Sequence, residues 1–317
     1  MSAKTAVVAI GGNSLIKDKK HESIEDQYQA AKETTYHIAD MIENGWNVAI
    51  GHGNGPQVGF ILRQSEIAHR VEALHEVPLD VCGAESQGLI GYMLQQTLQN
   101  ELYHRKIKKN VCTIITQVLV DQHDPAFAKP TKPIGGFMDE AEAKHRERDL
   151  NWTVIEDAGR GWRRVVASPM PKEVVELDSV QRLIEMGIIV ITVGGGGIPV
   201  IDQGDGNYVG TAAVIDKDYA SSLLAQLLKA DLFLISTAVE KIAINFGKPN
   251  EKWLDRVSLA EIKQYLSEGI HFAEGSMAPK VRAIIRFLEA GGKEAIITNP
   301  ENIGRALKGE TGTHITG

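Results

Sequence analysis

Three consecutive charged residues, Asp216, Lys217 and Asp218, stand directly before an amphipathic helix. The helix is indicated by apolar residues at helical spacing, namely Ala220, Leu223, Leu224, Leu227 and Leu228. We expect Asp218 to cap the free backbone N–H groups at the helix start. Lys217 gains nothing there, because a helix N-terminus already carries partial positive charge. A bound anion such as a phosphate would make this lysine favourable; the alternative is a solvated Asp-Lys-Asp turn.

A second lysine, Lys280, has the same unfavourable placement. The segment 275–280 leads into another helical face, with Pro279 suited to its first position and Gly291 to its C-terminal cap. A lysine in the first turn costs ~0.3–1 kcal/mol if no anion compensates it. Two such lysines, each beside an acidic or glycine-rich loop, indicate a clamp for a polyphosphate.

Glycine clusters follow three predicted strands, at Gly11, Gly51 and Gly194. In open α/β sheets, ligands bind at the carboxyl ends of the strands, and glycine lets backbone N–H groups approach an anion closely. The chain lacks both the glycine-lysine-serine/threonine end of a Walker A loop and the glycine spacing of the dinucleotide fingerprint. The loops and lysines together favour a phosphate-handling site of another kind.

These motifs need a scaffold of alternating strands and helices. We predict strands at 5–10, 46–50, 111–120, 188–193, 232–235 and 295–297, with helices between them. Repeated strand–loop–helix units predict an α/β fold, a mainly parallel sheet sandwiched between helices. The pattern breaks at 121–164, where 17 of 44 residues are charged against 24% in the whole chain. We interpret this stretch as a small protruding subdomain.

The composition of the 317-residue chain is that of an ordinary globular protein, with 43% hydrophobic residues and a net charge of −7. It contains no apolar run long enough for a membrane span and no basic stripe for nucleic acid, and its first residues do not predict a signal peptide. Its two cysteines, Cys82 and Cys112, match no metal-binding spacing. We expect both to be reduced, buried thiols in a cytoplasmic protein.

At several motifs the sequence closely resembles the carbamate kinases of the amino acid kinase family. The matching stretches run nearly end to end, at 9–13, 51–59, 130–135, 156–163, 194–199, 216–218, 271–273 and 275–280. The departures are minor: the family often has proline at the positions of Ala167 and Glu274, aspartate at that of Glu240 and tyrosine at that of Phe246.

The resemblance implies an amino acid kinase fold with a protruding lid and reversible phosphoryl transfer between ATP and carbamate, giving ADP and carbamoyl phosphate. It implies an acceptor domain at 1–210, with the lid at about 121–166, and a nucleotide-binding domain at 211–317. Mg²⁺ would be held mainly through the ATP or ADP phosphates. It further implies ATP production from carbamoyl phosphate in arginine catabolism and a homodimer formed by the helices that carry Leu62 and Leu89.

Residue roles follow from the same resemblance, motif by motif. The implied catalytic residues are Lys132, Lys217, Asp218 and Lys280, with Asp218 orienting the two helix-start lysines. The implied substrate- and phosphate-binding residues are Gly11, Gly12, Asn13, Gly53, Asn54, Gly55, Gly195 and Gly196. The implied nucleotide-binding residues are Asp216, Ser236, Phe246 and Met277, and no side chain is assigned to a metal.

Other residues near these motifs receive structural roles. A carbamate oxygen is already anionic and needs no general base, so we assign His52 a structural place in its loop. For Arg160, Trp162 and Arg163 we favour ion pairing inside the lid over substrate gating.

Two other functions remain open from the residues: an acetylglutamate-type kinase, which also makes an acyl phosphate, and a non-catalytic nucleotide or carbamoyl-phosphate sensor.

Overall fold

The computed structural model describes residues 4–12, 15–16, 20–157, 159 and 161–317. Asn13 and Arg160 lie outside the described residues. Within the described part of the chain, no helix has the length and apolar character needed to cross a membrane.

A large twisted sheet forms the centre of the molecule, in the strand order β15-β17-β16-β12-β1-β2-β9-β3. Its strands are β1 (Thr5–Ile10), β2 (Asn47–His52), β3 (Val111–Thr113), β9 (Ile189–Ile191), β12 (Leu232–Ser236), β15 (Arg256–Ser258), β16 (Glu294–Thr298) and β17 (Thr313–Thr316). Neighbouring strands are parallel except for the antiparallel pair β16 and β17. The mainly parallel sheet is confirmed.

Helices cover both faces of this sheet. They are α1 (Ile24–Glu43), α2 (Gly55–Glu72), α3 (Leu79–His104), α5 (Leu177–Glu185), α6 (Lys217–Leu227), α7 (Leu259–Ser267), α8 (Met277–Glu289) and α9 (Ile303–Leu307). Alternate residues of β1 enter two different cores: Val7 packs with residues of α6 and α8, whereas Val8 packs with residues of α1 and α3. Burial on both faces explains why β1 is a continuous apolar run in the sequence.

The predicted strand at 111–120 is wrong as a single strand. The chain leaves the main sheet after β3 and enters a second sheet as β4 (Gln117–Val120), in the order β11-β10-β4-β8. Thr116, between the two strands, donates its N–H to the side chain of Gln87 on α3. The remaining strands of this sheet are β8 (Pro171–Val174), β10 (Ile198–Asp202) and β11 (Tyr208–Gly210), and a separate hairpin joins β13 (Ile242–Ile244) to β14 (Lys252–Leu254).

The charge-rich stretch forms a separate small sheet, which we call the lid. Its antiparallel strands β5 (Lys132–Met138), β7 (Trp162–Val166) and β6 (Val154–Glu156) pack with α4 (Glu140–Leu150). The lid has a small core of its own, made by Met138, Ala143, Trp152 and Val154. The division into two domains at residue 210 stays a prediction; the main sheet takes strands from both sides of that position.

Candidate active site

The loops after β1, β2 and β12 lie side by side at the carboxyl edge of the main sheet. Gly11 donates its N–H to the carbonyl of Ser236, and Gly53 donates its N–H to the carbonyl of Ile10, both at 3.0 Å. These two N–H groups hold the loops together, so they are not the anion donors that the sequence suggested. Gly55 is the first residue of α2, where backbone N–H groups lack intrahelical acceptors.

Close packing explains the glycine at position 53. A Cβ there would lie 3.2 Å from the nitrogen of Gly12 and 3.3 Å from Cδ of Lys217. The loop after β2 therefore passes directly over the aliphatic part of Lys217. Gly53 and Gly12 thus share one small region of the structure with Lys217.

A 3₁₀ turn after β9, at Gly194–Gly196, completes the floor of this region. Gly195 has φ +65°, and a Cβ on it would lie 2.1 Å from Nδ2 of Asn54. Gly196 has φ +91° and approaches the backbone of Ile215, directly before α6, in the same way. Only glycine combines this positive φ with such close approach, so the predicted glycines at 195 and 196 do belong to the site region.

The start of α6 differs from the sequence prediction in one respect. The capping residue is Asp216, whose Oδ1 accepts the N–H of Asp218 at 2.9 Å. Asp218 lies one residue inside the helix. This releases its carboxylate for other partners.

Asp218 binds both helix-start lysines at once. Its Oδ1 accepts from Nζ of Lys217 at 2.5 Å and its Oδ2 accepts from Nζ of Lys280 at 2.9 Å. The side chains of Asp218, Lys217 and Lys280 are 4%, 10% and 16% exposed. The alternative of a solvated turn is therefore wrong, and the predicted orienting role of Asp218 has the geometry it requires.

Burial and charge pull the pKa values of this cluster in different directions. Burial alone would raise the pKa of Asp218, but the two lysines more than offset it and hold that pKa well below its usual range. Burial and the charge of Lys280 lower the pKa of Lys217 despite its bond to Asp218. Burial also opposes the charge of Lys280, yet Asp218 raises the pKa of Lys280 above its usual value. Three charges thus share one dry site, in which an added anion would be stabilised.

Lys280 reaches Asp218 from the first turn of α8. This helix begins at Met277, two residues before the predicted start at Pro279. Its end agrees with the prediction, since Gly291 has φ +94° and donates its N–H to Leu288 at 3.0 Å. The helix packs against α6 through apolar residues that include Val281 and Leu224, which fixes the two lysines relative to each other.

The lid lysine, Lys132, lies at the first position of β5 and contacts the same region. Its Nζ donates to Oδ2 of Asp216 at 2.5 Å, and the two side chains are 25% and 18% exposed. Burial would raise the pKa of Asp216, but the charge of Lys132 more than offsets this and lowers it. The four residues predicted as catalytic are thus joined through Asp216 and Asp218.

The residues predicted to bind the nucleotide are less closely gathered. Ser236 is buried at the end of β12, and its hydroxyl has no hydrogen-bond partner among the described residues. Met277 opens α8. Phe246 follows β13, is 67% exposed and packs edge-to-face on Trp253 with ring centroids 6.1 Å apart. Within the described residues, no hydrogen bond, ion pair or ring contact joins Phe246 to the lysines.

Sequence reasoning missed Gln87 of α3, which supports the glycine turn. Its buried amide donates to the carbonyls of Gly194 at 2.9 Å and Thr116 at 3.0 Å, and its oxygen accepts the N–H of Thr116 at 2.8 Å. The available signal was a glutamine within an otherwise apolar helix face. A buried amide of this kind needs its partners, so it marks a place where α3 fixes a loop.

His52 has the structural place that we assigned to it. The ring is fully buried, and Nδ1 lies 3.1 Å from the carbonyl of Gly53, which makes Nδ1 the protonated nitrogen. A Cβ on Gly194 would lie 2.3 Å from Nε2, so the ring packs tightly against the glycine turn. Burial lowers the pKa of His52 to about 4, and the ring is neutral at pH 7.

The lid residues support the structural interpretation as well. Arg163 donates to the carbonyl of Gly135 at 2.9 Å and pairs with Asp157 at 3.4 Å, both within the lid. Trp162 packs against the small lid core. Both cysteines are free; Cys82 is buried, as expected, while Cys112 is half-buried.

Comparison with known proteins places this geometry in a family. The sequence profile of the Amino acid kinase family matches residues 4–299. A carbamate kinase of Thermococcus kodakarensis is 50% identical, with 98% of this chain and 99% of that protein aligned. The carbamate kinase-like protein YahI of Escherichia coli is 51% identical, with 98% of each aligned.

Solved structures give the same answer for the fold. The carbamate kinase of Giardia lamblia bound to AMP-PNP superposes with a TM-score of 0.90 at 43% identity, with 99% of each chain covered. The aligned region spans the lysines, the glycine loops and the lid together. The chain therefore belongs to the amino acid kinase family and, within it, stands among the carbamate kinases.

Proposed function

We propose that this protein is a carbamate kinase that transfers a phosphoryl group between carbamoyl phosphate and ADP. The observation that carries the proposal is the buried pair of lysines, Lys217 and Lys280, fixed by the single carboxylate of Asp218. The near full-length identity to proteins named carbamate kinases supports the choice of acceptor.

Phosphoryl transfer to an anionic acceptor requires positively charged groups in fixed positions more than it requires a general acid or base. The transferring phosphoryl group spreads negative charge over its oxygens. Preorganised donors in a water-poor site stabilise that charge without reorganising during the reaction. Lys217 and Lys280 would supply these donors, and Lys132 would approach from the acceptor side.

Backbone donors complete the proposed phosphate site. The N–H groups at Gly12, Asn54 and Gly55 serve the incoming anion, since those of Gly11 and Gly53 already join the loops. Asn54 is held in place because its Nδ2 donates to Oγ of Ser86 at 2.8 Å. No proton acceptor is needed for an anionic carbamate oxygen, which agrees with a neutral, buried His52.

Mg²⁺ fits this arrangement as an ion that enters the site bound to the nucleotide. The carboxylates of Asp216 and Asp218 are both engaged by lysines. Among the described residues, no three His, Cys, Asp or Glu side chains are grouped to hold an ion. The ion would therefore be bound through the phosphate oxygens of ATP or ADP, where it neutralises charge.

The nucleotide is proposed to lie along the edge formed by β12 and α8. The hydroxyl of Ser236, which has no partner within the described part of the chain, and the first residue of α8, Met277, would supply a polar and an apolar contact there. The exposed ring of Phe246, which packs on Trp253, would offer an aromatic face to the nucleotide. We propose that the cell uses the reaction to make ATP from carbamoyl phosphate in arginine catabolism.

We also propose a homodimer through α2 and α3. Leu62 and Leu89, which the sequence suggested for the contact, are half-buried against cores of their own chain. The large apolar and aromatic residues left exposed on the described parts of these helices are Ile67, Val71, Val81, Tyr92 and Tyr103. Light scattering should return twice the 34.6 kDa chain mass at micromolar concentration; the mass of a single chain would rule the dimer out.

A coupled assay tests the proposed reaction. Purified protein with Mg²⁺ and ADP should form ATP from carbamoyl phosphate and should not phosphorylate N-acetylglutamate with ATP. Brisk turnover of N-acetylglutamate would assign the chain to the other acyl-phosphate kinases. Nucleotide binding without any turnover of carbamoyl phosphate would make it a sensor.

A further inference from the structure

Asp216 uses its two carboxylate oxygens for two different parts of the molecule. Oδ1 accepts the N–H of Asp218 and fixes the start of α6. Oδ2 accepts from Lys132, which lies 84 residues earlier, on the first strand of the lid. One side chain therefore links the lid to the helix that carries the buried lysine pair.

The other lid contacts lead to different elements. Arg164 pairs with Glu66 on α2 at 2.7 Å, and Gly135 packs directly on Gly59 of the same helix. The chain that leaves the lid bonds to the segment before α6, since Val214 donates its N–H to the carbonyl of Ala167 at 2.9 Å. Among the described side chains of the lid, Lys132 is the one that pairs with a residue at the start of α6.

We propose that Asp216 is a positioning residue that holds Lys132 over the start of α6, ready for the anionic substrate. This departs from its sequence-based assignment to the nucleotide. An ammonium group has three donors, and the bond to Asp216 uses one of them. The others remain for oxygens of the carbamoyl phosphate, so Lys132 binds substrate without leaving Asp216.

The charge balance makes this pairing useful. With Lys132 docked, the carboxylate of Asp216 is neutralised beside the anion site. With the lid displaced, that carboxylate faces the site alone and repels an approaching phosphate. Substrate affinity is thereby linked to the position of the lid, and the partly exposed pair can exchange more readily than the dry Lys217–Asp218–Lys280 cluster.

Asp216→Asn isolates the charge from the cap, because asparagine caps a helix about as well as aspartate. Asp139→Asn is the matched control: Asp139 caps α4 in the lid through the N–H of Glu142 at 2.8 Å. Without ligand, hydrogen exchange of the β5 and β7 amides should be about two- to fivefold faster in Asp216→Asn, a typical effect for losing a partly exposed pair. Asp139→Asn should leave the exchange of β5 and β7 unchanged.

Lys132→Met tests the pair from its other end and should match Asp216→Asn, while the double variant should exchange no faster. Unchanged exchange in both single variants would overturn the proposal. This readout does not depend on the proposed reaction, so it decides the role of Asp216 even if the wild-type protein proves inactive with carbamoyl phosphate.

The kinetic readout rests on the proposed function and separates positioning from nucleotide contact. In Asp216→Asn, kcat/KM for carbamoyl phosphate should fall about fivefold, in line with the loss of one charge pair. The KM for ADP should stay within about twofold. A raised KM for ADP with an unchanged kcat/KM for carbamoyl phosphate would return Asp216 to the nucleotide site and overturn the proposal.

Discussion

The lysine cluster and the lid both rely on opposite charges, yet they differ in how much water reaches them. The side chains of Lys217 and Asp218 are 10% and 4% exposed, whereas a lid pair such as Lys144 with Glu147 is about half exposed. Charges in a dry site interact strongly and are costly to leave unpaired. Exposed pairs are screened and contribute little. The cluster is therefore held together more strongly than the surface ion pairs of the lid.

The lid shows how a charged segment can still fold. The guanidinium groups of Arg146 and Arg164 lie over Trp152, 4.8 and 4.5 Å from its ring, and that ring is buried between them. Lys144 lies over Trp162 at 5.0 Å. Cations that stack on aromatic faces keep their charged ends wet while covering apolar surface. The lid thereby gains a core without a run of apolar residues.

The largest effect is expected from Lys280→Met. Removing one preorganised donor from the site should slow turnover about a hundred- to thousandfold, roughly 3–4 kcal/mol. Lys263→Met is the control, because Lys263 pairs with Glu289 on the exposed surface, and its turnover should be near normal. Near-normal turnover of Lys280→Met would remove this lysine from the catalytic assignment.

The stability of the same variant corrects an expectation from the sequence. Removal of a lone lysine from a helix start should stabilise the free protein, because the helix N-terminus is already partly positive. Here Lys280 holds Oδ2 of the buried Asp218, so Lys280→Met should lower the melting temperature. A melting temperature that is unchanged or raised without ligand would mean that this bond contributes nothing net.

His52 should make stability depend on pH. The folded-state pKa of about 4 lies below the usual 6.5, so the unfolded chain takes up the proton first. The contribution of His52 to the free energy of unfolding is fully present above pH 6.5. It is lost as the pH drops towards 4, and the total loss from this one group is about 3 kcal/mol. His52→Gln should lose that part of the pH dependence in denaturant titrations between pH 4 and 7; identical slopes in the two proteins would contradict the assignment.

The next effect concerns the contact between α2 and the lid. A Cβ on Gly59 would lie 2.1 Å from Cα of Gly135, so Gly59→Ala must push the lid away, with a cost of about 1–3 kcal/mol. Gly83→Ala, in α3, meets nothing within 4 Å and should stabilise the protein by about 0.5–1 kcal/mol. Equal melting temperatures for the two variants would mean that the lid does not rest on α2.

Removing the lid pair of Glu66 and Arg164 should have the smallest effect. The side chains are 21% and 24% exposed, and Glu66→Gln should cost about 0.2–1 kcal/mol of stability, as for other exposed pairs. Chemical denaturation of Glu66→Gln beside the wild type measures it. A loss as large as that of a buried pair would erase the proposed difference between lid and cluster.

The sequence predicted much of this arrangement because its signals are local. Each of these signals can be recognised in a stretch of about ten residues. They are the apolar run of β1, the glycines at the ends of β2 and β9, and Lys217 and Lys280 at helix starts. The division of 111–120 between two sheets is not local, because it depends on Gln87, far away in the chain, accepting from Thr116. The bonds of Asp218 to Lys280 and of Asp216 to Lys132 likewise join side chains that only the fold brings together.

Lys217 and Lys280 should work as one unit through Asp218, which binds both. The direct measurement is the rate of ATP formation from carbamoyl phosphate and ADP by Lys217→Met, Lys280→Met and the double variant. Groups that act as a unit have strongly non-additive effects, so the double variant should be about as slow as the slower single variant. If the fold-losses in rate of the two single variants multiply in the double variant, the two lysines act independently. That result would contradict a shared role through Asp218.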